Sequence, residues 1–349
     1  MEERSSDYPN ILKRIGEKKI GGKVAAASPK VSVIIPAYNI APFIKETLDS
    51  VFEQTYQDFE VILVNDGSTD TPDLKTALTS YFDKIIYVEQ KNSGAAKARN
   101  TAICLARSDL LAFLDGDDIW LPDFLASQIS FLEKNDFEMA YCDALIFGEP
   151  LYENRTFMQN APSSGAVTTV KLLSAECNVI TSGTILRESA LEKFGLFDGE
   201  ISRVEDYDLW FRLAKNGVRI GYQREVLLKY RVRPGNLSGT NVDRAERSLL
   251  ALNVIREKYD LDRAELKVWQ ERTALYQAAF ELEKGKLCLV RGDFTGAKAH
   301  LLEASKIHRT PKLFAVNFLM RFSPRLTARL FEKMRSEEFS FIAPDNAER

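Results

Sequence analysis

The stretch VSVIIPAYNIAPFIKETLDSVFEQTYQDFEVILVNDGSTD, residues 31–70, decides how the chain folds. Val31, Val33, Ile34 and Ile35 make a short β-branched run stopped by Pro36. That run reads as a buried strand, which proline ends because it cannot donate to a central ladder. Residues 42–53 then place Phe43, Ile44, Leu48, Val51 and Phe52 on one helical face, and 60–64 return to a β-branched run. A buried strand, an amphipathic helix and a second buried strand in this order form a β-α-β unit.

Working outward, the same alternation continues with a helix over 73–82, a strand over 85–88, a helix over 95–106 and a strand over 110–114. The expected class is therefore α/β, with a mainly parallel, Rossmann-like sheet. Ligands of such sheets sit beyond the carboxyl ends of the strands. The loops after Ile35, Val64, Val88 and Leu114 should thus converge on one crevice. Residues 137–235 are less periodic, with a strand near 139–146, a loop rich in Asn, Ser and Pro over 153–165 and a helix over 203–215, and they complete the same domain. From 241 onward helical periodicity dominates, with Leu249, Leu252, Ile255 and Tyr259 on one face. Gly292-Asp293-Phe294 followed by Ala297, Leu301, Leu302 and Ala304 has the spacing of a helical-repeat hairpin, but a single repeat does not make a solenoid. The expected division is a polar leader over 1–30, an α/β domain over 31–238 and a helical module over 239–349.

Composition narrows the chemistry. The 349 residues are 45% hydrophobic and 28% charged, ordinary values for a folded globular chain. Lys+Arg 47 against Asp+Glu 50 leaves −3, which gives no global field for nucleic acid. Cys104, Cys142, Cys177 and Cys288 form no C-x-x-C pair, so with only His300 and His308 a Cys/His zinc site is excluded and a reducing cytoplasm is expected. No apolar run reaches the roughly 18 residues of a membrane span, and residues 1–30 lack the apolar stretch of a signal peptide. Both histidines lie near the C-terminus, so catalysis elsewhere must rest on carboxylates.

Four segments could carry it. Asn65-Asp66-Gly67-Ser68-Thr69-Asp70 reads either as a turn with a helix cap or, with Asp66 at a strand's carboxyl end, as an acceptor for a nucleotide base or ribose. In Leu114-Asp115-Gly116-Asp117-Asp118 three carboxylates within four residues repel one another. Either water solvates them as an acidic turn before a helix, or a divalent cation neutralises them; oxygen-only ligands suit magnesium or manganese. The run 92–100, NSGAAKARN, opens a helix with small residues, Lys97 and Arg99, which suits phosphate or simply braces the sheet. Glu205 and Asp206 stand in the first turn of a helix with Leu209, Trp210 and Leu213 facing inward. They are either helix-dipole carboxylates or a base raised toward neutrality by an apolar wall.

Taken together, VSVIIPAYN (31–39), VNDGSTD (64–70), NSGAAKARN (92–100), LDGDD (114–118), NVITSG (178–183), GLFDGE (195–200) and VEDYDLWFRL (204–213) strongly resemble family 2 glycosyltransferases with the A-type nucleotide-diphospho-sugar fold. The resemblance spans about 31–235, with the seven motifs in the family's order. It implies inverting transfer of a sugar from an NDP-sugar, usually a UDP-sugar, to a hydroxyl. Pro36, Ala37, Tyr38 and Asp66 then match positions that cradle the base and ribose, and Lys91, Gly94 and Arg99 the segment beside the nucleotide. Asp115 and Asp117 match the D-x-D pair, with Asp117 on the metal. Asp206 matches the general base with Glu205 as its alternative. Thr181, Ser182 and Gly183 match an acceptor-side loop, and Arg231 with Ser238 a loop closing over the diphosphate. Processive members carry Q-x-x-R-W and membrane helices; Tyr222-Gln223-Arg224-Glu225 matches neither spacing nor Trp, so a single-addition enzyme is implied. Arg233 stands where many relatives place a histidine.

The resemblance further implies an acceptor that is a saccharide or lipid-linked, as in cell-surface polysaccharide or glycolipid synthesis. Residues 306–335 carry eight Lys/Arg against one acid, net +7, interleaved with Leu313, Phe314, Phe318, Phe322, Leu326 and Leu330. Such a segment either packs as a hairpin with a solvated basic face or lies on an anionic membrane, which would put the chain at the inner face. Two other classes compete: a sugar nucleotidyltransferase, disfavoured because no extended Gly/Arg/Lys signature follows the first strand, and a noncatalytic binding protein, disfavoured because the acidic positions needed for chemistry are present.

Overall fold

A computed structural model of the chain describes residues 20–21, 28–148, 155–233 and 241–335. The leader expected over 1–30 falls almost wholly outside these, as does Ser238. The chain divides into two compact units after Arg233.

The first unit is built on strands β1 (Ile20–Gly21), β2 (Val31–Ala37), β3 (Phe59–Asp66), β4 (Ile86–Gln90), β5 (Leu110–Phe113), β6 (Ile119–Trp120), β7 (Met139–Phe147), β8 (Thr184–Arg187) and β9 (Ile220–Arg231). Among the described residues they form one sheet in the order β1-β4-β3-β2-β5-β8-β7-β9-β6. Its longer registers are parallel: β2 lies beside β3 from Val31↔Phe59 to Ala37↔Asn65, and β7 beside β9 from Met139↔Ile220 to Phe147↔Arg231. The antiparallel pairings, such as β5 with β8 from Leu110↔Arg187 to Ala112↔Ile185, are short. The sheet is thus mixed and mostly parallel.

Val31, Val33, Ile34 and Ile35 are all fully buried, which explains why β2 reads as a continuous apolar run rather than an alternation. The connecting helix α1 (Ile44–Phe52) buries Ile44, Leu48 and Val51 against that strand layer. The helix expected over 73–82 is shorter: α2 (Thr71–Ala77) gives way to turns in which Tyr81 N–H bonds the Leu78 carbonyl (2.8 Å) and Lys84 N–H that of Tyr81 (2.8 Å). Three-residue spacing of these bonds tightens the chain out of the α-helix. Helix α3 (Ala95–Ile103) likewise ends in such turns through 106.

Strand β9 has no clean period in the sequence because it carries a bulge. Its register against β7 jumps from Cys142↔Gln223 to Asp143↔Val226, leaving Arg224 and Glu225 exposed between paired residues. A bulge inserts residues without partners and interrupts alternation, which is what hides this strand. Helices α4 (Phe124–Lys134), α5 (Phe157–Asn160), α6 (Thr169–Leu173), α7 (Glu188–Phe194) and α8 (Glu205–Lys215) complete the unit.

The chain runs from β2 outward through β3 to β4 and then returns to β5 on the other side of β2. The switch point therefore lies between β2 and β5, where two consecutive-direction loops separate and leave a crevice. Contact there is close: Thr47 Oγ1 donates to the Gly116 carbonyl (3.0 Å), and a Cβ at Gly116 would stand 2.6 Å from Ile40 Cδ1.

The second unit is helical, with α9 (Asn241–Lys258), α10 (Arg263–Val290), α11 (Phe294–Ile307), α12 (Pro311–Phe322) and α13 (Pro324–Arg335). Asp262 and Glu265 form a capping box at the start of α10. Between α10 and α11, Gly292 takes φ +75°, Asp293 caps Gly296 N–H (2.9 Å), and Leu289, Ala297, Leu301 and Ala304 form a small core. Among the described residues no helix is long and apolar enough to cross a membrane.

Candidate active site

The loops at the carboxyl ends of β2, β3, β4 and β5 do meet, and the hydrogen bonds between them show how. Asn39, in the left-handed region at φ +53°, accepts on Oδ1 from Thr69 N–H (2.9 Å), while its own N–H donates to Ser68 Oγ (3.1 Å). Asp70 accepts from Ala41 N–H (2.9 Å). Pro36 is half-buried, Ala37 fully buried, and Tyr38 exposed at 48%. Tyr38 is therefore the side chain of that trio open to a ligand, and Ala37 can offer only its backbone.

Asp66 is buried, and its carboxylate is already engaged. It accepts from Gln90 Nε2 (2.7 Å), Ser93 N–H (2.9 Å) and Gly94 N–H (2.8 Å). The residue thus shapes the 91–94 loop, and Gly94 at φ +89° gives that loop its turn before α3. Gly67 is needed for a second reason: a Cβ there would stand 2.6 Å from Asn92 N. Lys91 is exposed, and Lys97 pairs with Glu200 (2.8 Å).

Arg99 holds the centre. Its guanidinium is buried and donates to Asp115 Oδ1 (2.6 Å) and Glu205 Oε1 (3.2 Å), with the Phe197 ring 5.6 Å away. Burial works against its charge, but Asp115, Glu205 and Asp206 more than offset that and raise its pKa. Asp115 N–H in turn donates to Ser182 Oγ (3.1 Å), in the 3-10 turn Thr181–Gly183. Trp120 Nε1 donates to the Ser182 carbonyl (2.8 Å), fixing that turn from beneath.

At the first turn of α8 the two acids differ sharply. Glu205 is buried and its pKa is raised, first by burial and then by Asp206, with Arg99 opposing. Asp206 is half-buried and accepts from Thr181 Oγ1 (3.0 Å) and Tyr207 N–H (2.7 Å). The acidic loop shows a similar gradient. Burial and Asp115 push Asp117 up while Arg233 pulls it down, and Asp118, fully buried beside both, lies well above the ordinary carboxylate range.

Strand β9 reaches this loop from the far side. Arg231 donates from its backbone to Asp118 Oδ1 (2.8 Å) and from Nε to the Asp117 carbonyl (2.7 Å). Its guanidinium lies over the rings of Phe43 (4.8 Å) and Phe147 (4.4 Å). Arg233 Nε meets Asp117 Oδ2 at 3.0 Å. Sequence reasoning noted Arg233 only as a departure and missed the Phe43 and Phe147 platform; no motif marks it, since both rings sit at element ends far apart in the chain.

Residues 32–195 match the family described as "Glycosyl transferase family 2". An uncharacterized glycosyltransferase of Rickettsia prowazekii is 33% identical over 222 residues, covering 63% of this chain and 69% of that protein. The chain belongs to glycosyltransferase family 2. Another relative is WfaP of Escherichia coli, named as a UDP-Glc:alpha-D-GlcNAc-diphosphoundecaprenol beta-1,3-glucosyltransferase, 31% identical over 60% of this chain and 79% of its own. Among solved structures, the mannosyltransferase PcManGT of Pyrobaculum calidifontis, in complex with GDP-Man and Mn2+, shares the fold with a TM-score of 0.57. It is 20% identical, over 94% of this chain and 90% of that one.

The residues of the acidic loop have the chemistry of a divalent-metal site. The donors are all oxygen, burial and the neighbouring carboxylates raise the pKa values of Asp117 and Asp118, and Asp118 Oδ2 is buried without a hydrogen-bond partner. Among the described residues no three His, Cys, Asp or Glu converge into a complete ligand cluster. An all-oxygen donor set suits magnesium or manganese, which one or two carboxylates hold together with substrate phosphates.

Arg99 yields a stability prediction. Removing one partner of a buried ion pair leaves an uncompensated charge at about 3–5 kcal/mol. Arg99→Met should therefore lower the melting temperature of the protein by about 10 °C, read by scanning calorimetry. A shift under about 2 °C would show that Glu205 and Asp115 do not depend on it.

Proposed function

We propose that this glycosyltransferase is an inverting, non-processive enzyme that moves a sugar from an NDP-sugar, preferentially a UDP-sugar, to a hydroxyl of a saccharide or lipid-linked acceptor. Its place is cell-surface polysaccharide or glycolipid synthesis at the cytoplasmic face of the membrane. The observation that carries the reading is the Arg99 bridge, 2.6 Å to Asp115 and 3.2 Å to Glu205. It ties the acidic loop to the Glu205-Asp206 turn, so a donor diphosphate and an acceptor base would share one crevice. The WfaP name, with its UDP-Glc donor and lipid-diphosphate acceptor, supports the donor and acceptor classes.

In this reading Pro36, Ala37, Tyr38 and the loop shaped by Asp66 receive the base and ribose. Lys91 and the Gly94 turn border the nucleotide, and Arg231 with Ser238 closes over the diphosphate. Asp117 and Asp115 would hold a divalent metal, which would neutralise charge developing on the leaving diphosphate. Thr181, Ser182 and Gly183 line the acceptor side. Asp206 takes the acceptor hydroxyl proton; the freed oxygen bonds the anomeric carbon as the bond to the diphosphate oxygen breaks, releasing NDP. Glu205 and Arg99 position the turn.

The test is a panel of NDP-sugars with Mn2+ and a lipid-linked saccharide acceptor, read by released nucleoside diphosphate and by the glycosylated acceptor. Acceptor-dependent NDP release is expected. Release of pyrophosphate from a sugar phosphate and NTP would instead indicate a nucleotidyltransferase, and no turnover with any donor would overturn the reading.

A further inference from the structure

The helical unit carries an exposed apolar stripe bordered by unpaired cations. On α12, Phe314, Phe318 and Phe322 recur every four residues, which puts them on one face. They are 75%, 57% and 69% exposed, although Leu313 and Met320 of the same helix turn inward to the core with Leu301. The Phe318 and Phe322 rings sit 4.9 Å apart, so the stripe is continuous. On α13, Leu326 and Leu330 are also exposed, at 48% and 43%.

Each of the last three apolar residues follows an arginine in the chain: Arg321-Phe322, Arg325-Leu326 and Arg329-Leu330. All three arginines are exposed, and among the described residues none forms an ion pair. Exposed rows of Phe and Leu are uncommon on a folded chain and mark an interaction surface. A flanking row of unpaired arginines, with no acid interleaved between 312 and 331, rejects a second copy of the same face by like charge. It suits a surface that is apolar beneath and anionic above.

We propose that this stripe docks on an anionic lipid bilayer, with Phe314, Phe318, Phe322, Leu326 and Leu330 entering the headgroup boundary and Arg321, Arg325 and Arg329 meeting lipid phosphates. Amphipathic helices of this kind bind in the interface plane without spanning it. The inference rests on the proposed function only in matching the face of the membrane where a lipid-linked acceptor would be met. Docking itself requires no donor, acceptor or metal.

The test is co-sedimentation of the full chain with phosphatidylcholine vesicles and with vesicles containing phosphatidylglycerol, in the absence of nucleotide sugar. Binding to the anionic vesicles, weakened by raised salt, is expected. Each basic residue at the surface contributes about a fivefold change in partition, so Arg321→Gln/Arg325→Gln/Arg329→Gln together should lower it about a hundredfold. Phe314→Ser/Phe318→Ser should also release the protein while leaving its melting temperature and its turnover of a water-soluble acceptor unchanged. Equal sedimentation of wild type and variants, or no binding of wild type at low salt, would overturn the proposal. So would concentration-dependent dimerisation through this face without vesicles. Because vesicle binding is read without turnover, it fails or stands separately from the catalytic reading.

Discussion

Asp206→Asn should lower kcat by about 10²–10⁴, the contribution typical of a positioned general base, while leaving the fold intact. The substitution keeps the shape of the side chain, so Thr181 Oγ1, 3.0 Å away, can still bond an amide oxygen. What it removes is the ability to take a proton. Glu205→Gln tells the two neighbours apart. Glu205 is buried and its Oε1 is committed to Arg99 at 3.2 Å, so it is less open to a substrate hydroxyl than Asp206. Its loss should act through position: lower melting temperature and a modest fall in rate, with Asp206 still competent. Steady-state rates of both variants, alongside their melting temperatures, check this. Full rate in Asp206→Asn, or an equally deep loss in Glu205→Gln without destabilisation, would transfer the role to Glu205.

The α/β half was legible because its strands are buried on both faces and so read as unbroken apolar runs. Val31 to Ile35 is the clearest case, and its register with β3 and β5 puts the switch point between β2 and β5. Loops at that point could be located from strand ends alone. Strand β9 was not legible, since its bulge ejects Arg224 and Glu225 and breaks the period. That omission hid how Arg231 and Arg233, both singled out by the motif comparison, reach the acidic loop from the far side. Asp66 shows a different limit. A carboxylate at a strand end was rightly singled out, but spacing could not reveal that three donors of its own chain, from Gln90, Ser93 and Gly94, already occupy it. The C-terminal basic segment was legible in composition but not in facing. Leu313 and Met320 go into the core while Phe314, Phe318 and Phe322 stay outside, a division that only the packing of α12 against α11 decides.

Asp117→Ala should separate activity from stability in the opposite sense to Arg99→Met. Asp117 is held up by burial and by Asp115, and it crowds the fully buried Asp118. Deleting it relieves like-charge repulsion, and the Arg233 it leaves is partly exposed and can be solvated. The melting temperature should therefore stay within a few degrees of wild type or rise. Transfer should nonetheless fall at least about a hundredfold, because the charge on a departing diphosphate would lose a stabilisation worth several kcal/mol. Treatment of the wild type with a chelator should reproduce that loss, with recovery on adding Mn2+ or Mg2+. A second readout does not depend on turnover. Saturating metal at about 100 times its Kd stabilises a native site by about 2.7 kcal/mol, so Mn2+ with nucleoside diphosphate should raise the wild-type melting temperature by about 5–10 °C. Asp117→Ala should show little of that rise. If the variant were stabilised by Mn2+ as fully as wild type and kept its rate, Asp117 would not be the ligand, and Asp118, whose Oδ2 is buried without a partner, would be the next carboxylate to test.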